Sequence, residues 1–363
     1  MNPNNKHAAF YQAGFSLIEI MVGLVIGLLA SLVIMQVFSV FEGQKRTTTG
    51  TADAQTNGSI ALYTVQRELQ MAGYGLLPTG EASVADSAIE CTALTIDAAT
   101  GIGDISPVTI TDGGAASDSI TIRYSTTDTG GIPSQIRGVG VPAAGDVTVD
   151  NNLGCQDDDI ALIMNGNSCF LTAVTALSAP PPPAPASAVP ATITLQDITG
   201  AVTGANFACL GAWREITYAV NNGNLERNAV ARVVDIVNIQ AQYGIGDPAA
   251  ANPNRVVQWV NATGAWAAPT AANRNRIKAV RAAVVARNGL MEKEAVTFQC
   301  SSLTADPPLT GLCSWSGTSA SPDTASPAPA IDLSGDADWQ RYRYRVFETI
   351  IPLRNVIWSK STL

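Results

Sequence analysis

Between Phe15 and Phe41 the chain reads FSLIEIMVGLVIGLLASLVIMQVFSVF, and this run constrains everything else the chain can fold into. Only Glu19, Gln36 and a few serines interrupt it. As a helix rising about 1.5 Å per residue it reaches roughly 40 Å. The hydrocarbon core of a bilayer is about 30 Å thick, so the run is long enough to span it. A helix in the core of a water-soluble domain is shorter and carries a polar stripe. A cleaved secretory signal would need a shorter apolar stretch with its small-residue cut site behind it. Here the best small pair, Ala13-Gly14, lies in front, so a cut there leaves the apolar helix on the mature chain. Glu19 stands out, because a carboxylate at the bilayer centre costs about 2.5–3.5 kcal/mol. It needs either a partner or a solvated place near the interface.

The residues around the cut carry a resemblance. Gly14-Phe15-Ser16-Leu17-Ile18-Glu19 matches the GFxxxE signature and resembles type IV prepilins and pseudopilins. The resemblance implies that a prepilin peptidase cleaves between Gly14 and Phe15 on the cytoplasmic face and methylates Phe15. Residues 1–14 are then a leader. The new ammonium on Phe15 lies four residues, about 6 Å of helix, from Glu19. In a filament, Glu19 of one subunit is expected to neutralise the amine of a neighbour; the alternative is a solvated Glu19 at the interface. Loop charge does not orient the span. The leader offers Lys6, and Lys45 and Arg46 follow the span beside Glu42, against the lysine-rich leader that the positive-inside rule favours.

Composition narrows the function classes. The net charge is −9 with only 14% charged residues, and nucleic acid is not an expected partner because phosphate binding needs clustered Lys and Arg. The single histidine, His7, falls in the leader. That excludes Ser-His-Asp and Cys-His mechanisms in the mature chain and argues against zinc, as does the absence of CxxC. No GxxxxGK[ST] loop occurs, so filament assembly would draw on a separate ATPase. We assign no catalytic residue, cofactor or metal site. Asp157-Asp158-Asp159 lacks the spacing of a calcium loop and reads as a turn before a strand. Asn261-Ala262-Thr263 fits a glycosylation acceptor pattern of the kind common by chance. Arg341, Arg343 and Arg345 alternate and are expected on one face of a strand, either solvated or facing an anionic partner.

The six cysteines, Cys91, Cys155, Cys169, Cys209, Cys300 and Cys313, all follow the apolar run. An even count suits three disulfides in an oxidising compartment. Proximity in sequence suggests Cys155 with Cys169 and Cys300 with Cys313, leaving Cys91 for Cys209.

Beyond the span, residues 42–75 continue as helix. Gly43, Gly50, Gly58 and Thr47 to Thr49 are weak helix formers, so a bend or melted turn is expected there. Leu62, Val65, Leu69 and Ala72 form an apolar stripe at helical spacing, read as the face that docks on a globular head, and Gly73 and Gly75 as stops. From about residue 90 the texture becomes short β-rich runs between turn signals: CTALTID, VTITD, DSITIRYS, DIALIMN, CFLTAV, ATITLQD, VVQWV, IKAVRAAVVAR and YRYRVFETII. EITYAVNNGNLERNAV reads as a hairpin turning at Asn222-Gly223. The proline-rich stretch from Ser178 and the Ser/Pro/Ala/Asp stretch over about 314–338 read as decorations of a sheet. Strands do not alternate with long helices, which argues against a doubly wound sheet.

LERNAVARVVDIVNIQAQYGIGD, IKAVRAAVVAR and RYRVFETIIPLRN resemble the PilW group of minor pilins, and more distantly the J-type minor pseudopilin of type II secretion. The resemblance implies an α+β, pilin-like fold: a long N-terminal helix, its first half transmembrane, packed on an antiparallel sheet head with long loop insertions. The expected parts are a leader (1–14), a transmembrane and filament-core helix (15–41), its continuation on the head (42–75) and a β-rich periplasmic or extracellular head (76–363). The implied role is non-catalytic, in a minor-pilin complex that primes pilus assembly and sits at the tip. The implied partners are other minor pilins, the major pilin, prepilin peptidase, the inner-membrane assembly platform and membrane lipid. The implied location is the inner membrane and then the pilus. Alternatives are a type II secretion pseudopilin, an adhesin or DNA-uptake module displaying residues 85–210, which resemble nothing, and, least favoured by the residues, an enzyme.

Overall fold

The computed structural model describes residues 14–76, 89, 91–128, 131–141, 144–178, 190–300, 311–315, 328–329 and 331–358. It divides into two units, residues 1–52 and 53–363. One helix, α1 (Leu17–Met71), runs through 55 residues. No melted turn interrupts it between 42 and 58. Thr47, Thr48 and Thr51 donate their hydroxyls to the carbonyls of Gly43, Gln44 and Thr47, each four residues back. These hydroxyls are satisfied inside the helix, on carbonyls one turn back.

Within the second unit, α1 buries Ala54, Gly58, Ala61, Val65, Leu69 and Ala72, a three-and-four repeat that defines one face. Leu62 sits at the margin, half-buried. The helix ends where Gly73 and Gly75 take φ of 75° and 84°, a left-handed conformation that glycine adopts without steric cost.

Sixteen strands follow among the described residues. The first nine are β1 (Ala93–Ile96), β2 (Val108–Thr111), β3 (Ser119–Ser125), β4 (Ser134–Val139), β5 (Asp146–Val149), β6 (Ile160–Asn165), β7 (Ser168–Leu177), β8 (Ala191–Leu195) and β9 (Asn206–Gly211). The rest are β10 (Trp213–Asn221), β11 (Asn224–Arg227), β12 (Val230–Val234), β13 (Ile236–Gly246), β14 (Val256–Val260), β15 (Ile277–Arg287) and β16 (Tyr344–Pro352), with short helices α2 (Ala271–Arg274) and α3 (Arg354–Trp358).

They form three sheets, where one was expected. An antiparallel sheet has the order β14-β13-β15-β16, and a second has β12-β11-β10-β3-β2. The β10–β11 hairpin turns at Asn222 and Gly223, both at positive φ, as a type I′ turn requires. The motif RVVDIVNIQAQYGI is split into β12 and β13 by Asp235, at φ 59°.

Strand β15 is buried on both faces, which is why IKAVRAAVVAR reads as a nearly continuous apolar run. Val280, Ala282, Val284 and Ala286 join the main core with α1. Ala283 packs under Trp315 and Ala328, and Val285 under Leu312 and Ile331. Arg281 lies between the rings of Trp259 and Trp315, at 5.1 and 4.7 Å from their centroids, with Nε donated to Gln242 Oε1.

The third sheet has the order β1-β7-β6-β9-β4-β5-β8, and β8 returns to pair with β7, closing a barrel-like ring. The closure was not expected. The ring fills the connection from β3 to β10, which are themselves neighbours with Ser125 opposite Trp213. Thr126 N and Thr127 N donate to Ala212 O and Leu210 O at the neck. Ile136, Val147, Ile163, Phe170, Ile193 and Phe207 pack as its own core. Alternate residues Leu162, Met164, Leu171 and Leu210 face the main core, as the two-residue period of a strand dictates.

Candidate assembly site

Gly14, Phe15 and Ser16 precede the first turn of α1. Ser16 Oγ accepts from Glu19 N at 3.2 Å, and Ser16 O accepts from Glu19 N and Ile20 N. Ser16 therefore caps the helix, satisfying an amide that has no intrahelical partner. The sequence carries the signal for this cap as S-x-x-E at 16–19. Glu19 lies in the first turn, where a negative charge complements the helix dipole. A free ammonium on Phe15 would meet the same dipole unfavourably, so the carboxylate one turn inward offsets it.

Behind that turn, nineteen large apolar side chains from Phe15 to Phe41 are exposed, on every face of the helix. Water does not tolerate such a surface. Ser31 donates back to Gly27 O at 2.9 Å, so its hydroxyl is also satisfied within the helix. α1 is the one helix among the described residues long and apolar enough to cross a membrane.

On the head, polar ties hold the last turns of α1. Glu68 accepts Tyr124 Oη at 3.0 Å and Arg227 Nη2 at 3.1 Å. The carboxylate and burial together raise the Tyr124 phenol above its usual range, burial being the larger cause. Asn355 Nδ2 lies within hydrogen-bond reach of the carbonyls of Gln70, Met71 and Ala72, at 3.4, 3.4 and 3.2 Å. It caps the C-terminal carbonyls that a helix leaves open. The closing IPLRN motif thus docks on the end of α1, a role the sequence did not suggest.

All six cysteines are paired: Cys91–Cys169, Cys155–Cys209 and Cys300–Cys313. Only the last agrees with pairing by proximity. Cys155 and Cys169 stand at opposite ends of the β6–β7 hairpin, since Cys169 lies beside its turn opposite Met164. Parallel pairing of β1 with β7 brings Cys91 to Cys169, and pairing of β9 with β6 brings Cys209 to Cys155.

Asp157 to Asp159 make the turn into β6, with Asp159 Oδ2 accepting Gln156 N. Among the described residues no group of three His, Cys, Asp or Glu is placed to hold a metal ion. The three arginines do not share a strand face. Arg341 ends a short 3-10 turn and pairs with Asp338, Arg343 precedes β16 and pairs with Glu292, and only Arg345 lies in the strand. The paired Asp338 and Glu292 hold the first two out of register. Asn261 accepts from Gln242 Nε2. Residues 126–212 carry seven aspartates and one cation, Arg137, which is held by Asp150. That field repels anionic partners.

Comparison with known proteins matches both ends of the chain. The family model described as Type IV Pilus-assembly protein W matches residues 214–355, and that of the prokaryotic N-terminal methylation motif matches residues 10–35. No match is found among curated proteins. Among solved structures the chain is similar to the type IV-like pilin TTHA1219 from Thermus thermophilus, at 11% identity and a TM-score of 0.32, over 83% of this chain and 96% of that one.

Proposed function

We propose that this PilW-like chain is a minor pilin of a type IV pilus, a structural subunit whose function is assembly. Prepilin peptidase cleaves between Gly14 and Phe15 and methylates Phe15. The helix holds the subunit in the inner membrane with the head in the periplasm, and the assembly platform then moves it into a filament. There it joins other minor pilins and the major pilin in the complex that primes assembly and occupies the tip. The carrying observation is the apolar helix exposed on all sides directly behind the methylation motif, with Glu19 in its first turn. Such a rod suits two environments in succession, lipid and then the packed helices of a filament core.

Mass spectrometry of the N-terminus of the native protein tests the processing step. The expected product begins with N-methylated phenylalanine at position 15; any other start overturns it. Gene deletion tests the role. Piliation should be lost while protein secretion persists; the reverse would assign the chain to a type II secretion system.

A further inference from the structure

We propose that the head carries a binding site for a neutral saccharide, in the cleft where loop 332–336 meets the hairpin turn at Asn222-Gly223 and the ends of β13 and β15. The cleft encloses about 580 Å³, within the range of small-molecule sites. Its walls come from stretches far apart in sequence, and they are fixed before any ligand arrives. Asp332 N donates to Ala115 O at 2.8 Å and Ile236 N to Gly223 O at 3.0 Å. Ile239 N donates to Ser117 Oγ at 3.0 Å, and Tyr344 Oη to Trp339 O at 3.0 Å. A preformed wall lowers the ordering cost of binding.

The chemistry of the lining selects the ligand class. Arg287 Nη1 pairs with Asp336 Oδ2 at 3.1 Å, and the guanidinium lies 4.6 Å from the Tyr342 ring centroid. That pair cancels locally. Asp332 is left as a second carboxylate, held ionised by its bonds from Ser334, so an anionic ligand is disfavoured.

Several polar groups remain unspent among the described residues. Arg287 Nε is buried without a partner. Asn238, 1% exposed, accepts from Gln240 Nε2 at its Oδ1, and its own Nδ2 makes no bond. The Asn222 side chain is unbonded, since only its backbone carbonyl is used. These are planar groups offering both donors and acceptors, and Val237, Leu333 and Tyr344 set apolar surface beside them. Adjacent hydroxyls that donate and accept, on an uncharged ring with a C–H face, satisfy both sets at once. The inference is independent of the pilin reading, because it concerns only the cleft. Ten of the twelve lining residues lie in the segment that matches the PilW family, and Ala116 and Ser117 come from residues 85–210.

The test uses the full chain in a detergent without a sugar headgroup. Saturation-transfer NMR is run against glucose, galactose, mannose, N-acetylglucosamine, lactose and cellobiose. At least one should receive saturation, and its signal should fall at least fivefold with Asp332→Ala and with Asn222→Gly, which keeps the turn. Both variants should melt at the wild-type temperature; if one does not, the other decides. The proposal is overturned by no transfer to any of the six, by transfer that both variants leave unchanged, or by stronger transfer to sialic acid or a lysine-rich peptide than to every neutral sugar.

Discussion

Gly58 on α1 and Phe347 on β16 compete for one volume: a Cβ at position 58 would lie 2.1 Å from Cε2 of the ring and 2.3 Å from Cδ2. Both belong to the second unit, so this contact sets how closely the docking half of α1 approaches its sheet. An alanine would favour the helix itself by about 1 kcal/mol. Overpacking a core costs about 1–3 kcal/mol, and here a ring must move by more than an ångström. Packing should win. Gly58→Ala is expected to lower the unfolding midpoint, and Phe347→Leu in the same chain to recover part of the loss. An alanine variant as stable as the parent would show that the ring has room to yield.

The disulfide topology can be read chemically. Arg137 and Arg214 bracket Cys155, Cys169 and Cys209 with no cation between, so trypsin alone leaves the three in one peptide. Adding cleavage before aspartate separates them at Asp159 and Asp197. Under non-reducing conditions Cys91 should appear joined to the Cys169 fragment, and Cys155 to the Cys209 fragment. Replacing Cys155 and Cys209 by serine should cost about 2–5 kcal/mol of stability, as loss of a native disulfide in a small domain does. Recovery of a Cys155–Cys169 fragment would contradict the placement of β9 beside the start of β6.

Much of this fold was legible because local patterns decided it. The docking stripe, the type I′ hairpin and most strands followed from periodicity and turn residues such as Gly223. Ring closure was not legible. Strands β4, β5 and β9 are short and hold Gly138, Gly211 or isolated valines, giving little periodicity. Their pairing is also non-local, which no short window records. The same non-locality misdirected the cysteines. Gly58 was read only as a weak helix former, whereas the Phe347 ring occupies the space a side chain there would need. At the candidate assembly site Gly14, Phe15 and Glu19 form a contiguous motif visible in the sequence, whereas Asn355 reaches the end of α1 across more than 280 residues of sequence.

Asp118 gives the head a pH dependence of definite sign. Its side chain is 3% exposed and accepts N–H bonds from Gly113 and Ala241. Burial outweighs those bonds and pushes its pKa up to about 6, from 3.8. The folded state therefore holds this proton more tightly than the unfolded chain. Between about pH 4 and 6 the folded state binds more protons, so stability falls as pH rises through that window and levels above it. A shift of this size corresponds to about 3 kcal/mol. Denaturant titrations at pH 4.5 and pH 7 should show the drop, and Asp118→Asn should reduce it. An unchanged drop in the variant would assign it to other carboxylates.

Glu19 separates processing from assembly. Its charge sits in the first turn of a helix whose surrounding side chains are apolar and exposed. Left alone in hydrocarbon, that carboxylate costs energy; paired with a neighbour's Phe15 ammonium, it becomes a reason to enter the filament in one register. Glu19→Gln preserves shape, the Ser16 cap and the Gly14-Phe15 bond, and removes only the charge. The variant should still be cleaved and methylated at Phe15, and should accumulate in the inner membrane at wild-type levels. Its abundance in sheared pili, measured against the major pilin by quantitative mass spectrometry, should fall at least tenfold. Lysine at position 19 should be worse, because it places a second positive charge against the same dipole and the same ammonium. Glutamine at wild-type abundance in the filament would mean that Glu19 is solvated at the interface and that the register is set by packing alone.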